Sequence, residues 1–212
     1  AYEVLDGDIG KEILKELDGT GVIGLNYWEN GFRHLTNSVR EVKTAADVEG
    51  LKIRTLENDL HIDIWKTLGA NPVPMAFTEL FTALEQRVVD GQENPVGNVV
   101  GNKMFEVQKY LTQTGHVYNA SPFLISEKFW ETLSDEEKDI ITKAADEAMK
   151  YQRELNTQED EDMFKQLEEE GMVITELSNE DKQTFIDKLQ PLYEKYKEDF
   201  GEELVNQLLE MQ

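Results

Sequence analysis

The chain has 212 residues, 39% of them hydrophobic and 9% aromatic, enough for one large domain or two small lobes and too apolar for a disordered chain. Cysteine is absent, which excludes disulfides, thiol nucleophiles, thiolate zinc sites and iron–sulfur clusters together. With 44 Asp+Glu against 21 Lys+Arg, a formal net charge of -23, the surface repels phosphate backbones and anionic membranes, so neither nucleic acid nor a lipid surface is an expected partner.

In chain order, residues 8–18 read as a helix with Asp8 at its N-cap and Ile9, Ile13, Leu14 and Leu17 on one face. Val22 to Trp28 reads as a strand, and Glu29-Asn30-Gly31 as a turn that feeds Arg33. Thr44 and Asp47 form a capping-box variant over a short helix. Residues 51–56 alternate with period two, placing Leu51 and Ile53 on one side and Lys52 and Arg54 on the other. A helix is expected near 58–67, an extended piece at Val73-Pro74-Met75, and a helix capped by Thr78 that carries Leu80 and Leu84. Asp90-Gly91 begins a turn that continues through Gln92-Glu93-Asn94-Pro95.

A longer extended segment covers 116–125, and Ser126 starts a brief helix. The capping box Ser134/Glu137 opens a helical pattern running towards Gly171. Such a helix would reach roughly 50 Å, so it is expected either to break or to cross two lobes. Val173-Ile174 is a short strand, and the remainder is helical, with weak points at Gln190-Pro191 and Gly201. Strands alternate with helices in the first half and helices dominate the second, an α/β pattern. No apolar run approaches the roughly 18 residues of a membrane span. The chain opens Ala1-Tyr2-Glu3 without a signal-peptide pattern, as expected of a mature or cut protein.

Gly19-Thr20-Gly21-Val22-Ile23-Gly24 matches a dinucleotide fingerprint letter for letter, but a helix precedes it and a strand follows, the reverse of what that fold needs. Gly19 or Gly21 reads better as a helix C-cap. His34, His61 and His116 are far apart and lack metal-ligand spacing. The acidic run 159–162 lacks the pattern of a calcium loop and reads as a solvated helix face. No spacing sets a nucleophile beside a base, so no enzyme, metal or cofactor is expected. The arginines are few: Arg33, Arg40, Arg54, Arg87 and Arg153. A guanidinium on a rigid strand can hold a carboxylate through two parallel hydrogen bonds, which singles out Arg54 and, after its turn, Arg33. An internal salt bridge is the competing reading, with 44 carboxylates on offer. The polar turn at 90–95 suits either a hydroxylated acid or its own internal hydrogen bonds.

Six segments, taken together, carry a family resemblance. They are Asn30 to Asn37, Gly50 to Arg54, Gly69 to Phe77, Val89 to Pro95, Phe105 to Tyr110 and Thr114 to Tyr118. In order and spacing the chain resembles the DctP-like solute-binding proteins of tripartite ATP-independent periplasmic (TRAP) transporters, and the likeness extends through the C-terminal helices. The resemblance implies a two-lobed, periplasmic-binding-protein-like α/β fold that closes over a small organic acid and delivers it to a membrane permease without chemistry, on the periplasmic or outer face of the cell membrane. The ligand would be a C4-dicarboxylate such as malate, succinate or fumarate, or a related sugar acid. By the same resemblance Arg54 pairs with the ligand carboxylate, Arg33 adds a polar contact, Asn94 touches the acid group and Phe77 lines the pocket. Glu93, Asn98 and Trp28 are secondary candidates.

Members of that family are longer, and the stretch missing here lies at the front. The resemblance therefore implies one nearly complete ligand-binding lobe at 31–118, completed by about 172–189. Residues 1–30 and 119–171 would form part of the second lobe with hinge-spanning elements, and 190–212 a C-terminal helical segment. A lobe without its leading strands exposes a sheet edge and apolar surface. The chain is thus expected to be a piece of a longer protein, or to self-associate through the incomplete lobe. Two other classes compete: a small-acid enzyme, and an interaction module built on the acidic helices at 134–212.

Overall fold

The computed structural model describes residues 1–210. The chain divides into two compact units: residues 1–31 with 118–160, and residues 32–117 with 161–212. Residues 161–171, expected in the second lobe, and the described part of 190–212, expected as a separate helical segment, cluster with the larger unit. The last two residues of the helical segment expected over 190–212 lie outside the described residues.

The smaller unit opens with α1 (Tyr2–Asp6) and α2 (Asp8–Lys15). The cap of α2 is Gly7, with Asp8 inside the helix, and its C-cap is Glu16. Gly19 (φ 76) and Gly21 (φ 95) shape the turn beyond it. The first long strand, β1 (Val22–Asn37), runs straight through the predicted turn at 29–31. Gly31 (φ 104) adopts an angle that L side chains rarely take. The irregularity is absorbed there without ending the strand. β5 (Tyr110–Ser126) likewise passes from the larger unit into the smaller. Ser126 caps α6 (Glu127–Trp130), accepting from the Phe129 amide at 3.4 Å.

The capping box before α7 (Asp135–Glu169) forms as expected: Ser134 donates to Glu137 through its amide and hydroxyl at 2.8 and 2.9 Å. The helix is unbroken over 35 residues and passes from one unit into the other. In the smaller unit it is held to β1 by side chains that seek backbone. Arg153 donates to the Tyr27 carbonyl at 2.6 Å and pairs with Asp6 at 2.8 Å. Gln152 bridges both the amide and the carbonyl of Glu29. Asp160, read from sequence as part of a solvated face, is half-buried; burial, then Glu29 and Glu159, push its carboxyl up to about 6.

The larger unit carries a mixed sheet. The Thr44–Asp47 capping box encloses a 3-10 turn at Ala45–Val48. Then come β2 (Lys52–Thr55), α3 (Asp59–Thr67), β3 (Asn71–Pro74), α4 (Phe77–Glu85), β4 (Gly91–Pro95) and α5 (Val96–Gly101). β6 (Val173–Glu176), α8 (Asn179–Phe200) and α9 (Glu202–Glu210) complete it. Sheet order is β3-β2-β4-β1-β5-β6. β2 is parallel to β3 and β4, β1 is antiparallel to β4, and β5 is parallel to β6.

Two apolar clusters build this unit. One joins Leu35, Leu51 and Ile53 to Ile64 and Trp65 of α3 and Phe185 of α8. The other joins Leu111 to Leu80 and Leu84 of α4, Val99 of α5 and Leu167 of α7. α8 continues through Pro191, with the flanking Leu189 and Leu192 packed on the first cluster; the predicted weak point is bridged by burial. Gly201 (φ 91) does end the helix.

Two further local expectations fail. The cap of α4 is Ala76, so Thr78 sits inside the helix. The predicted turn at 90–95 is the buried strand β4, paired on both sides. Propensity reads Gly-Gln-Glu-Asn-Pro as a turn, but ladder pairing and side-chain partners on neighbouring strands outweigh it.

Candidate functional site

The parallel strands β2, β3 and β4 end at Thr55, Pro74 and Pro95. The carboxyl ends of parallel strands are where open α/β sheets bind ligands, and the candidate side chains of the larger unit gather there. Arg54 is the penultimate residue of β2 and is 1% exposed. Its Nε and Nη2 donate to the Met75 carbonyl at 3.0 and 2.7 Å, just beyond β3. Nη1 is buried and has no hydrogen-bond partner. The guanidinium carbon lies 5.8 Å from the centre of the Phe77 ring, which stands 40% exposed at the start of α4. Burial lowers the Arg54 pKa; Glu93 and Glu57 pull it back and Arg33 pushes it further. A buried guanidinium with one idle donor pair is an uncommon arrangement in a folded chain.

Arg33, on β1, is 2% exposed and engaged with Glu93. Nε donates to Glu93 Oε2 at 2.5 Å, and Nη2 donates to Oε1 at 3.0 Å, to the Glu93 carbonyl at 2.6 Å and to Asn94 Oδ1 at 3.0 Å. The internal ion pair weighed from sequence is therefore present at this arginine. Asn94 is held from both ends, its Nδ2 donating to Gln92 Oε1 and its Oδ1 accepting from Arg33 and, at 3.4 Å, from Asn98 Nδ2. Gln92 in turn donates to Thr36 Oγ1 at 2.9 Å, and Thr36 to Gln108 Oε1 at 2.9 Å. A polar strand can thus be buried because its side chains satisfy one another across β1 and β4.

The histidines are where sequence spacing misleads. His116 Nε2 lies 3.2 Å from Glu93 Oε2, and His61 Nδ1 lies 3.5 Å from Oε1. Burial alone would raise the Glu93 carboxyl, but hydrogen bonds from His116 and Arg33, with the His61 ring close by, hold it well below the usual carboxylate range. His116 also meets Thr114 Oγ1 through Nδ1 at 2.8 Å and packs edge-on against Trp65. His34 is separate in role: its Nδ1 accepts from the Gly115 amide at 3.2 Å, and burial, then His116 and Lys182, lower it to about 4. No residue pattern announces this grouping, because β1, α3, β4 and β5 meet only in the fold. Among the described residues no group of three or more His, Asp or Glu is placed to hold a metal ion.

Of the sequence candidates, Arg54, Arg33, Phe77, Glu93, Asn94 and Asn98 lie in the larger unit. Trp28 lies in the smaller one, 5.4 Å from the ring of Phe123, with its Nε1 buried and without a hydrogen-bond partner.

The larger unit is thus an α/β frame whose parallel strands end at a buried arginine with an unbonded Nη1. The chain belongs to the bacterial extracellular solute-binding proteins of family 7, the DctP family, whose model matches residues 1–199. It is 34% identical over 208 residues to the C4-dicarboxylate-binding protein DctB of Bacillus subtilis, covering 98% of this chain and 59% of that protein. It is 45% identical to the sugar acid binding protein DctPAm of Advenella mimigardefordensis, solved with galactonate (TM-score 0.92, 99% of this chain and 67% of that one). A TRAP periplasmic solute-binding protein from Polaromonas, bound to D-erythronate, is 42% identical (TM-score 0.90, 96% and 67%). The chain spans about three-fifths of the length of the curated relatives it matches.

Proposed function

We propose that this chain is the acid-gripping part of an extracytoplasmic solute-binding protein, and that the whole protein captures a small organic acid and hands it to a TRAP membrane permease. The acid is a C4-dicarboxylate or a related sugar acid, the two kinds of ligand that its relatives are named for or solved with. One observation carries the reading: Arg54 is buried at the end of β2 with Nη1 unbonded, while Nε and Nη2 are tied to the Met75 carbonyl. The backbone contact fixes the plane of the guanidinium, and the idle edge is left to an incoming carboxylate. Phe77 beside it excludes water from the contact, which strengthens a charge-assisted bond.

Arg33 acts one step back in this proposal. Locked on Glu93, it orients the Asn94 amide, and Asn94 and Asn98 supply the neutral polar contacts. The net charge of -23 does not prevent anion capture, since exposed charges are screened beyond about 8 Å at physiological salt. A buried guanidinium at contact distance is not.

Calorimetry on the complete protein with succinate, malate and galactonate tests the proposal. Arg54→Ala should weaken the bound acid by roughly 10- to 150-fold, the equivalent of a lost charge-assisted hydrogen bond of about 1.5–3 kcal/mol. Arg54→Lys should recover only part of that, because an ammonium cannot keep both the Met75 contact and the ligand. Unchanged affinity in Arg54→Ala would defeat the reading.

A further inference from the structure

The Glu93 carboxylate is approached by two histidines that are not equivalent. His116 has both ring nitrogens engaged, Nε2 with Glu93 and Nδ1 with Thr114, and its side chain is 5% exposed. His61 presents only Nδ1 to Glu93, at 3.5 Å from Oε1, and its side chain is 14% exposed. Nδ1 itself is buried and, at this distance, is not hydrogen-bonded to the carboxylate or to any other group, so the exposed part of the side chain lies elsewhere on it. The position is fixed locally: Asn58 caps α3 and accepts from the His61 amide at 3.3 Å. His61 therefore sits in the first turn of the helix that follows β2, at the same strand ends as Arg54.

The negative charge of a carboxylate 3.5 Å from Nδ1 favours, without a hydrogen bond, the neutral tautomer that carries its proton there, which leaves the Nε2 lone pair as an acceptor. We propose that His61 is a specificity-determining residue of the acid site, its Nε2 accepting a hydrogen bond from a ligand hydroxyl, so that the site prefers hydroxy acids to acids of equal charge that lack one. The assignment rests on Arg54 holding the ligand carboxylate. A ligand without a hydroxyl would cover the imidazole acceptor and leave it unpaired, and sites built around such a group reject the deficient analogue. Glu93 is the positioning residue, since it sets the tautomer without touching the ligand.

The experiment compares paired acids on the complete protein by calorimetry: succinate against malate, and adipate against galactarate. The wild type should favour the hydroxylated member of at least one pair by roughly tenfold or more. His61→Phe keeps the ring and removes both nitrogens; it should erase that preference mainly by weakening the hydroxy acid, with the melting temperature confirming a folded protein. His61→Gln, which restores an acceptor, should return part of it. Equal preference in the wild type and His61→Phe, with binding intact, overturns the role of His61 and leaves Arg54 standing. A wild type that binds acids without regard to hydroxyls overturns it as well. Failure of every acid to bind the wild type overturns the acid site as a whole.

Discussion

The two units of this chain are built on different terms. Every residue of both apolar clusters lies in the larger unit, whose sheet carries helices from both clusters. The smaller unit relies on polar ties, with Arg153, Gln152 and Asn156 of α7 bonded to the backbone of β1. It leaves Phe123, Leu124, Phe129, Ile140 and Tyr151 between 41% and 68% exposed. The difference teaches where function can be placed. A guanidinium is best held in place by a well-packed frame, and the two apolar clusters supply that packing in the larger unit.

The comparison can be broken most forcefully at Glu93. It is 0% exposed and compensates Arg33, so Glu93→Ala leaves a buried cation without its partner. The expected loss is about 3–5 kcal/mol, read as a fall in the urea midpoint of the transition that reports the larger unit. Core truncation should come next. Leu111→Ala, at 0% exposure, is expected to cost about 2–5 kcal/mol. Phe129→Ser in the smaller unit, 52% exposed, should stay within about 0.5 kcal/mol. If both substitutions cost the same, the contrast between the units is wrong.

The buried histidine of the larger unit adds a pH dependence. His34 is held neutral in the fold down to about 4, whereas an unfolded histidine takes its proton near 6.5. Between those values the unfolded state binds more protons, so stability must fall as pH drops, by up to about 1.4 kcal/mol per pH unit. His34→Gln should flatten the slope of urea stability between pH 6.5 and 4. Glu93 works at lower pH: its folded pKa is depressed, so its contribution is complete above the ordinary carboxylate range and is lost only as pH falls well below it.

Local pattern was legible where one element explains itself. The Thr44–Asp47 and Ser134–Glu137 boxes form as written, because a cap is a contact between neighbours three residues apart. Leu51 and Ile53 join the same core cluster, as period two requires. The dinucleotide look-alike at 19–24 is followed by a strand, as its context demanded. The failures share a cause. Gly91 to Pro95 reads as a turn by composition, yet it is a central strand whose polar side chains are satisfied by Thr36 and Arg33, residues that no local window contains. The turn at 29–31 fails similarly, because pairing in the sheet carries β1 through Gly31.

By itself the sequence determined the α/β class, the two capping boxes, the absence of thiol chemistry and, through six motifs in register, the family. Tertiary structure alone decided that Arg33 is spent on Glu93 while Arg54 keeps an unbonded Nη1, and that His61 and His116 meet at one carboxylate. The physical reason is range: helix caps and strand alternation are settled over three or four residues, whereas which buried charge finds a partner depends on groups that lie tens of residues apart along the chain.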